Sequence, residues 1–95
     1  MRVTVISPER SLYDGEADAV VAPAYDGQIG ILPRHAPLTT LLGGGELAVT
    51  HGGSIARFTV DGGFLQVVGD VVRVVAERAA VGAPGNTNQP IKEEA

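Results

Sequence analysis

Residues 46–77 read ELAVTHGGSIARFTVDGGFLQVVGDVVRVVAE, and their alternation decides which kind of fold the chain can adopt. The runs Glu46 to Thr50, Ile55 to Val60, Phe64 to Val68 and Val71 to Glu77 have strand length and are rich in residues that fit a pleated, half-buried surface. Between them stand His51-Gly52-Gly53, Asp61-Gly62-Gly63 and Gly69-Asp70. Connections this short reverse the chain into an adjacent antiparallel strand, so the segment reads as a four-stranded meander. Its last run sets Val72, Val74 and Ala76 on one face against Val71, Arg73, Val75 and Glu77 on the other. One face is wholly apolar and the other mixed, the pattern of a sheet covered on one side.

Working outward, the same period-two signal recurs toward the N-terminus and almost nothing reads as helix. An opening strand, Arg2 to Ile6, sends Val3 and Val5 to one face before the break at Ser7-Pro8. A short strand then leads to Asp14-Gly15, a dipeptide suited to a type I′ hairpin, with the return expected along Ala17 to Ala22. Asp26-Gly27 marks a second tight reversal into Gln28 to Leu32. There the chain meets QIGILPRHAPL, residues 28–38, where two prolines exclude both helix and central strand. This stiff loop carries Ile29, Ile31, Leu32 and Leu38, which either fold onto the core or offer apolar surface to a partner. Gly43-Gly44-Gly45 lacks the Lys-Ser/Thr of a phosphate-binding loop and reads as a sharp bend between strands. Eight or more short strands at this spacing imply an all-β, two-layer antiparallel sandwich or flattened barrel.

With 95 residues, 44% of them hydrophobic, the chain supports one core. The sandwich is expected over residues 1–82. Residues 83–95, Gly-, Pro- and Asn-rich, are expected to form a disordered tail or, from Asn88-Gln89-Pro90 through Glu94, the start of a truncated helical domain. A net charge of −4 and seven scattered Lys and Arg argue against nucleic acid. No stretch forms a basic amphipathic helix, the N-terminus lacks the apolar block of a signal peptide, and the longest apolar run, Ala19 to Ala24, is far below the roughly 20 residues of a spanning helix. These features imply no direct membrane insertion. Cysteine is absent, which removes disulfides, thiol nucleophiles and thiolate metal sites and is compatible with cytoplasm.

Catalytic chemistry finds no foothold. His35 and His51 are the only imidazoles; His51 sits in a Gly-rich turn, and His35 has no Asp, Glu or Cys at a metal or base spacing. Asp14, Asp26, Asp61 and Asp70 mostly stand beside turn glycines, the pattern of solvated acids. No catalytic, metal or cofactor residues are assigned.

The ordered combination of V-x-V-I-S-P-E-R from Val3, D-G-Q-I-G-I-L-P-R-H-A-P-L from Asp26, G-E-L from Gly45, F-x-V-D-G-G-F-L-x-V from Phe58 and V-x-V-V-A-E-R-A from Val72 resembles the epsilon subunits of F-type ATP synthases. The resemblance covers Val3 to about Val81, and the proline-bracketed G-I-L-P-x-H-A-P-L is its most specific part. It implies a sandwich of about ten strands at the foot of a rotating central stalk, held on the cytoplasmic face of an energy-transducing membrane by the complex. Such a subunit catalyses nothing and couples the c ring to gamma and the catalytic head. By position, the resemblance implies c-ring contacts at Asp26, Gly27, Gln28, Arg34 and His35, all at one end of the sandwich, and gamma contacts at Ser7, His35, Thr40 and Leu42. Gln28 stands where many relatives carry an acid, leaving Asp26 as the local carboxylate. The family's inhibitory C-terminal helical pair is expected to be absent. Two other classes compete: a free-standing ligand- or peptide-binding sandwich with the proline loop at its rim, and a small hydrolase, for which no acid–base pair is found.

Overall fold

The computed structural model describes residues 1–82, and their regular structure is strand throughout. The strands are β1 (Arg2–Ile6), β2 (Ser11–Glu16), β3 (Ala19–Ala24), β4 (Gly27–Ile31), β5 (Leu38–Leu41), β6 (Gly44–His51), β7 (Ser54–Val68) and β8 (Val71–Val81). Hydrogen bonds join them into one sheet of order β2-β1-β8-β7-β6-β3-β4, with β5 on β7 off that path. Because β2 and β4 remain as ends, the sheet folds over on itself without closing into a barrel. The expectation for residues 83–95, with the helix start at Asn88 to Glu94, lies outside the described residues.

The long hairpin of β7 and β8 carries the fold. It keeps one register from Phe58↔Val81 to Val68↔Val71. β6 lies against Ser54 to Asp61 of β7, whereas β5 lies against Phe64 to Val67. β1 pairs only with Val71 to Val75 of β8. One layer therefore holds β2, β1, the first part of β8, the last part of β7 and β5, and the other holds the rest. Five strand segments fall in each layer because β7 and β8 serve both. Residues of both layers share a single apolar core that includes Val3, Val5, Val20, Leu47, Phe58, Leu65 and Val74. Tyr13 of β2 meets Phe58 of the opposite layer edge to face, with centroids 6.3 Å apart.

Three sequence expectations are corrected. Asp61-Gly62-Gly63 does not reverse the chain: Gly62 and Gly63, at φ 76° and 110°, bend β7 from one layer into the other. The Leu42 N–H donates to the Gly63 carbonyl at 2.9 Å, so the partner strand bends alongside, at the triple glycine. Asp14-Gly15 is not a turn either; it lies inside β2, with Val3 opposite Gly15, and the reversal occurs at Ser7 to Arg10, closed by the Ser7 N–H donating to the Arg10 carbonyl. The Asp14 carboxylate instead receives the Arg2 guanidinium at 2.6 Å, and that hydrogen bond, followed by the attraction of the opposite charge, raises the Arg2 pKa above its ordinary value. β3 consequently pairs with β4 and β6 and not with β2. Finally, β1 runs parallel to β8, an arrangement open to strands far apart in sequence because the connection is long.

Other expectations hold in the structure. β3 and β4 reverse through Tyr25-Asp26, with Ala24 opposite Gly27. Gly52-Gly53 and Gly69-Asp70 form two-residue hairpin turns with both φ values positive, the type I′ signature. Val72, Val74 and Ala76 are buried as the alternation requires, and no polar or charged side chain is buried among the described residues.

Candidate functional site

The proline segment resolves into a turn. Pro33 occupies the second position of a reversal closed by the His35 N–H donating to the Leu32 carbonyl at 3.2 Å, and Arg34 follows at φ 66°. This is a type II turn, in which proline presets the second residue and the third must be left-handed. Arg34 takes that place although it carries a Cβ, and its N–H donates to Asp70 Oδ1 at 2.8 Å. His35, half-buried, donates from Nδ1 to the Ala36 carbonyl at 2.8 Å. The apolar residues of the segment divide: Ile31 is core, Ile29 and Leu38 pack partly against it, and Leu32 stands 64% exposed.

The chain direction separates the expected contact residues. Asp26 and Gly27 stand at the start of β4, and Arg34 and His35 lie beyond its end, five strand residues away. At about 3.3 Å per residue the two groups sit at opposite ends of the strand, which corrects the single end implied by the resemblance. Asp26 and Gln28 instead share a groove of about 520 Å³ with Tyr25, Leu38, Thr40 and Leu41. The Tyr25 N–H donates to the Leu41 carbonyl at 3.0 Å and fixes the floor between the β3–β4 turn and β5. Asp26, Gly27 and Gln28 are all exposed there.

The expected gamma contacts divide in the same way. Ser7 is half-buried in the β1–β2 turn, its Oγ within 3.3 Å of Glu9 Oε1 and the Arg10 carbonyl. Thr40 of β5 stands opposite Leu65 of the core, and Leu42, the residue after that strand, is only 5% exposed, so both point inward. Leu42 is core and offers a partner no side chain. Its neighbour Leu41, which the sequence reading passed over, is 61% exposed. Leu41 faces Phe64, Phe64 faces Val75, and Val75 faces Ile6, so an apolar row crosses the outer surface of β5, β7, β8 and β1. A parallel row of Thr39, Gln66, Arg73 and Thr4 borders it with polar groups. Counting alternation back from buried Leu65 would have placed Leu41 outside and Leu42 inside, had β5 been seen to pair with β7. Among the described residues, no group of three or more His, Asp or Glu side chains gathers where a metal could sit.

Residues 1–82 match the family model of the ATP synthase, Delta/Epsilon chain, beta-sandwich domain. The ATP synthase epsilon chain of Acidithiobacillus ferridurans is 51% identical over 77 residues, which are 81% of this chain and 55% of that protein. That of Leptospira borgpetersenii is 42% identical over 81 residues, 85% and 64% of the two. The chain thus spans roughly three fifths of the length of these relatives. The epsilon chain of Frankia casuarinae, 45% identical over 80 residues, is covered over 94% of its own length. A chain of the Euglena gracilis mitochondrial ATP synthase, solved as OSCP/F1/c-ring in rotational state 1, superposes with a TM-score of 0.77 at 24% identity, covering 83% of this chain and 51% of that one. A chain from the central stalk/c-ring structure of the Tetrahymena thermophila mitochondrial ATP synthase gives 0.73 at 15%, covering 85% and 66%. These two likenesses speak for the sandwich fold, and the match along every described residue carries the assignment: the chain belongs to the delta/epsilon family of ATP synthase subunits, through its beta-sandwich domain.

Proposed function

We propose that this chain is a non-catalytic part of the central stalk of a proton-translocating F-type ATP synthase, where it joins the c ring to gamma. The complex holds it, peripherally, on the cytoplasmic face of the membrane. Family membership supports the setting, and the observation that carries the mechanism is the Leu41–Phe64–Val75–Ile6 row, an apolar strip on a rigid sheet bordered by polar residues. An interface needs such a desolvated centre with a polar rim. Gamma covers this row, and the exposed Asp26-Gly27-Gln28 turn reaches the polar loops of the c ring. Torque passes between two partners only if the body between them does not shear. Strands β7 and β8, shared by both layers, supply that stiffness.

Size-exclusion chromatography with purified gamma tests this reading. A stable complex is expected with the native chain, and Leu41→Ser or Phe64→Ser should weaken it at least tenfold, since central apolar anchors dominate interface energy. A chain that ignores gamma at micromolar concentration would instead favour a free-standing binding module, with the groove between Tyr25 and Leu41 as its site.

A further inference from the structure

Two non-glycine residues among those described have left-handed backbone, Arg34 at φ 66° and Asp70 at φ 62°. They are the two ends of one hydrogen bond, spanning 36 positions of sequence. Left-handed backbone is unfavourable for any residue with a Cβ, and it persists where the surroundings over-determine it. The β7–β8 reversal accounts for Asp70, whose carbonyl also accepts the Arg2 N–H at 3.1 Å. It does not account for a carboxylate at that place, because glycine or asparagine meets the same turn. For Arg34, the type II turn demands the conformation and the residue resists it.

We propose that Asp70 is a positioning residue: its carboxylate, holding the Arg34 N–H, locks the Leu32–His35 turn in the type II form and so sets how Leu32 and His35 are presented to the stalk. The charge on the acceptor strengthens that bond beyond a neutral one. Its second oxygen lies 3.8 Å from the Met1 ammonium, so the loop, the hairpin and the first strand meet at one carboxylate. The inference rests on the coupling role proposed above for the use of the turn, but not for the locking itself.

Three substitutions in the 95-residue chain separate these roles. Asp70→Gly keeps the reversal and removes the carboxylate. Asp70→Asn keeps an acceptor oxygen and loses the charge facing Met1. Arg34→Gly removes the Cβ that makes the left-handed state unfavourable. Hydrogen exchange of the Arg34 amide, read by NMR without any partner, should speed up about tenfold in Asp70→Gly and about threefold in Asp70→Asn, which keeps the bond without the charge that strengthens it. Affinity for a purified gamma–c-ring subcomplex should fall about fivefold in Asp70→Gly and only about twofold in Asp70→Asn. Adding Asp70→Gly to Arg34→Gly should change affinity less than twofold, because the strain that Asp70 restrains is gone. Unchanged Arg34 exchange in Asp70→Gly, or Asp70→Asn no better than Asp70→Gly, overturns the inference. So does faster exchange with unchanged affinity, which leaves the coupling reading to stand on Leu41 and Phe64. If the native chain binds no gamma, the coupling reading fails alone, and the exchange measurement still decides whether Asp70 locks the turn.

Discussion

A methyl group on Gly63 would run into the Val75 carbonyl oxygen and come within 2.9 Å of Ala76 Cα, on a backbone at φ 110°. Two backbone strands cannot separate to admit it without losing the hairpin that carries both layers. Gly63→Ala is therefore expected to destabilise the protein by about 3 kcal/mol or more in urea unfolding. Gly30→Ala, at a site with nothing within 4 Å, should stay within about 0.5 kcal/mol. Equal losses at the two positions would show that close approach is not the cause. Asp26 presents the opposite situation, an exposed charge at a turn tip beside neutral Gln28. Exposed ion pairs contribute about 0.2–1 kcal/mol, so Asp26→Asn should weaken c-ring binding about 1.4- to fivefold. That loss should vanish as salt shortens the screening length, and a salt-independent effect would point to shape in place of charge.

Along single strands, the sequence was legible wherever one alternation phase served one layer. Val72, Val74 and Ala76 of β8 and Val3 and Val5 of β1 were placed correctly because their faces can be counted directly. It failed where phase changes. In β7, Phe58 and Val60 are buried before the bend and Leu65 and Val67 after it, so the inward register shifts by one across Gly62-Gly63. A hairpin reversal produces the same break, and local sequence does not distinguish a bent strand from a turned one. The inward direction of Leu42 and the outward one of Leu41 are hidden for a related reason, since which of two adjacent leucines points out depends on a pairing with β7 that only the fold reveals. The parallel contact of β1 with β8 left no local signal at all. Neighbours on β7 test the resulting picture of two faces. Leu65→Ala should cost about 2–5 kcal/mol of stability with gamma affinity preserved among the folded molecules, because it opens a cavity in the core. Phe64→Ser, on a side chain 39% exposed, should do the reverse and lose binding with much less effect on stability. If both variants lost only stability, the outer row would not be a docking surface.

At the scale of the molecule, the same connectivity that stiffens the sandwich makes it slow to assemble. β1 finds its partner in Val71 to Val75, at the far end of the described chain, and neither layer is complete until β7 and β8 have been laid across both. Non-local pairing is penalised by loop closure before its contacts form, and all-β domains of this kind fold in milliseconds to seconds. Because one apolar cluster draws on both layers, the layers should also unfold together. The chain has two tyrosines and no tryptophan: Tyr13 packs on Phe58 across the layers, and Tyr25 is 68% exposed. In a Tyr25→Phe background, Tyr13 emission reports the inter-layer contact, and far-UV circular dichroism reports the strands. Their urea transitions should coincide, and stopped-flow refolding should give relaxation times of about a millisecond or longer in water. Tyr13 emission lost before the strand signal would mean that the layers separate while each remains paired. A body that separates in that way could not carry torque between gamma and the c ring, so the cooperativity of this small sandwich bears directly on whether it can act as a rigid link.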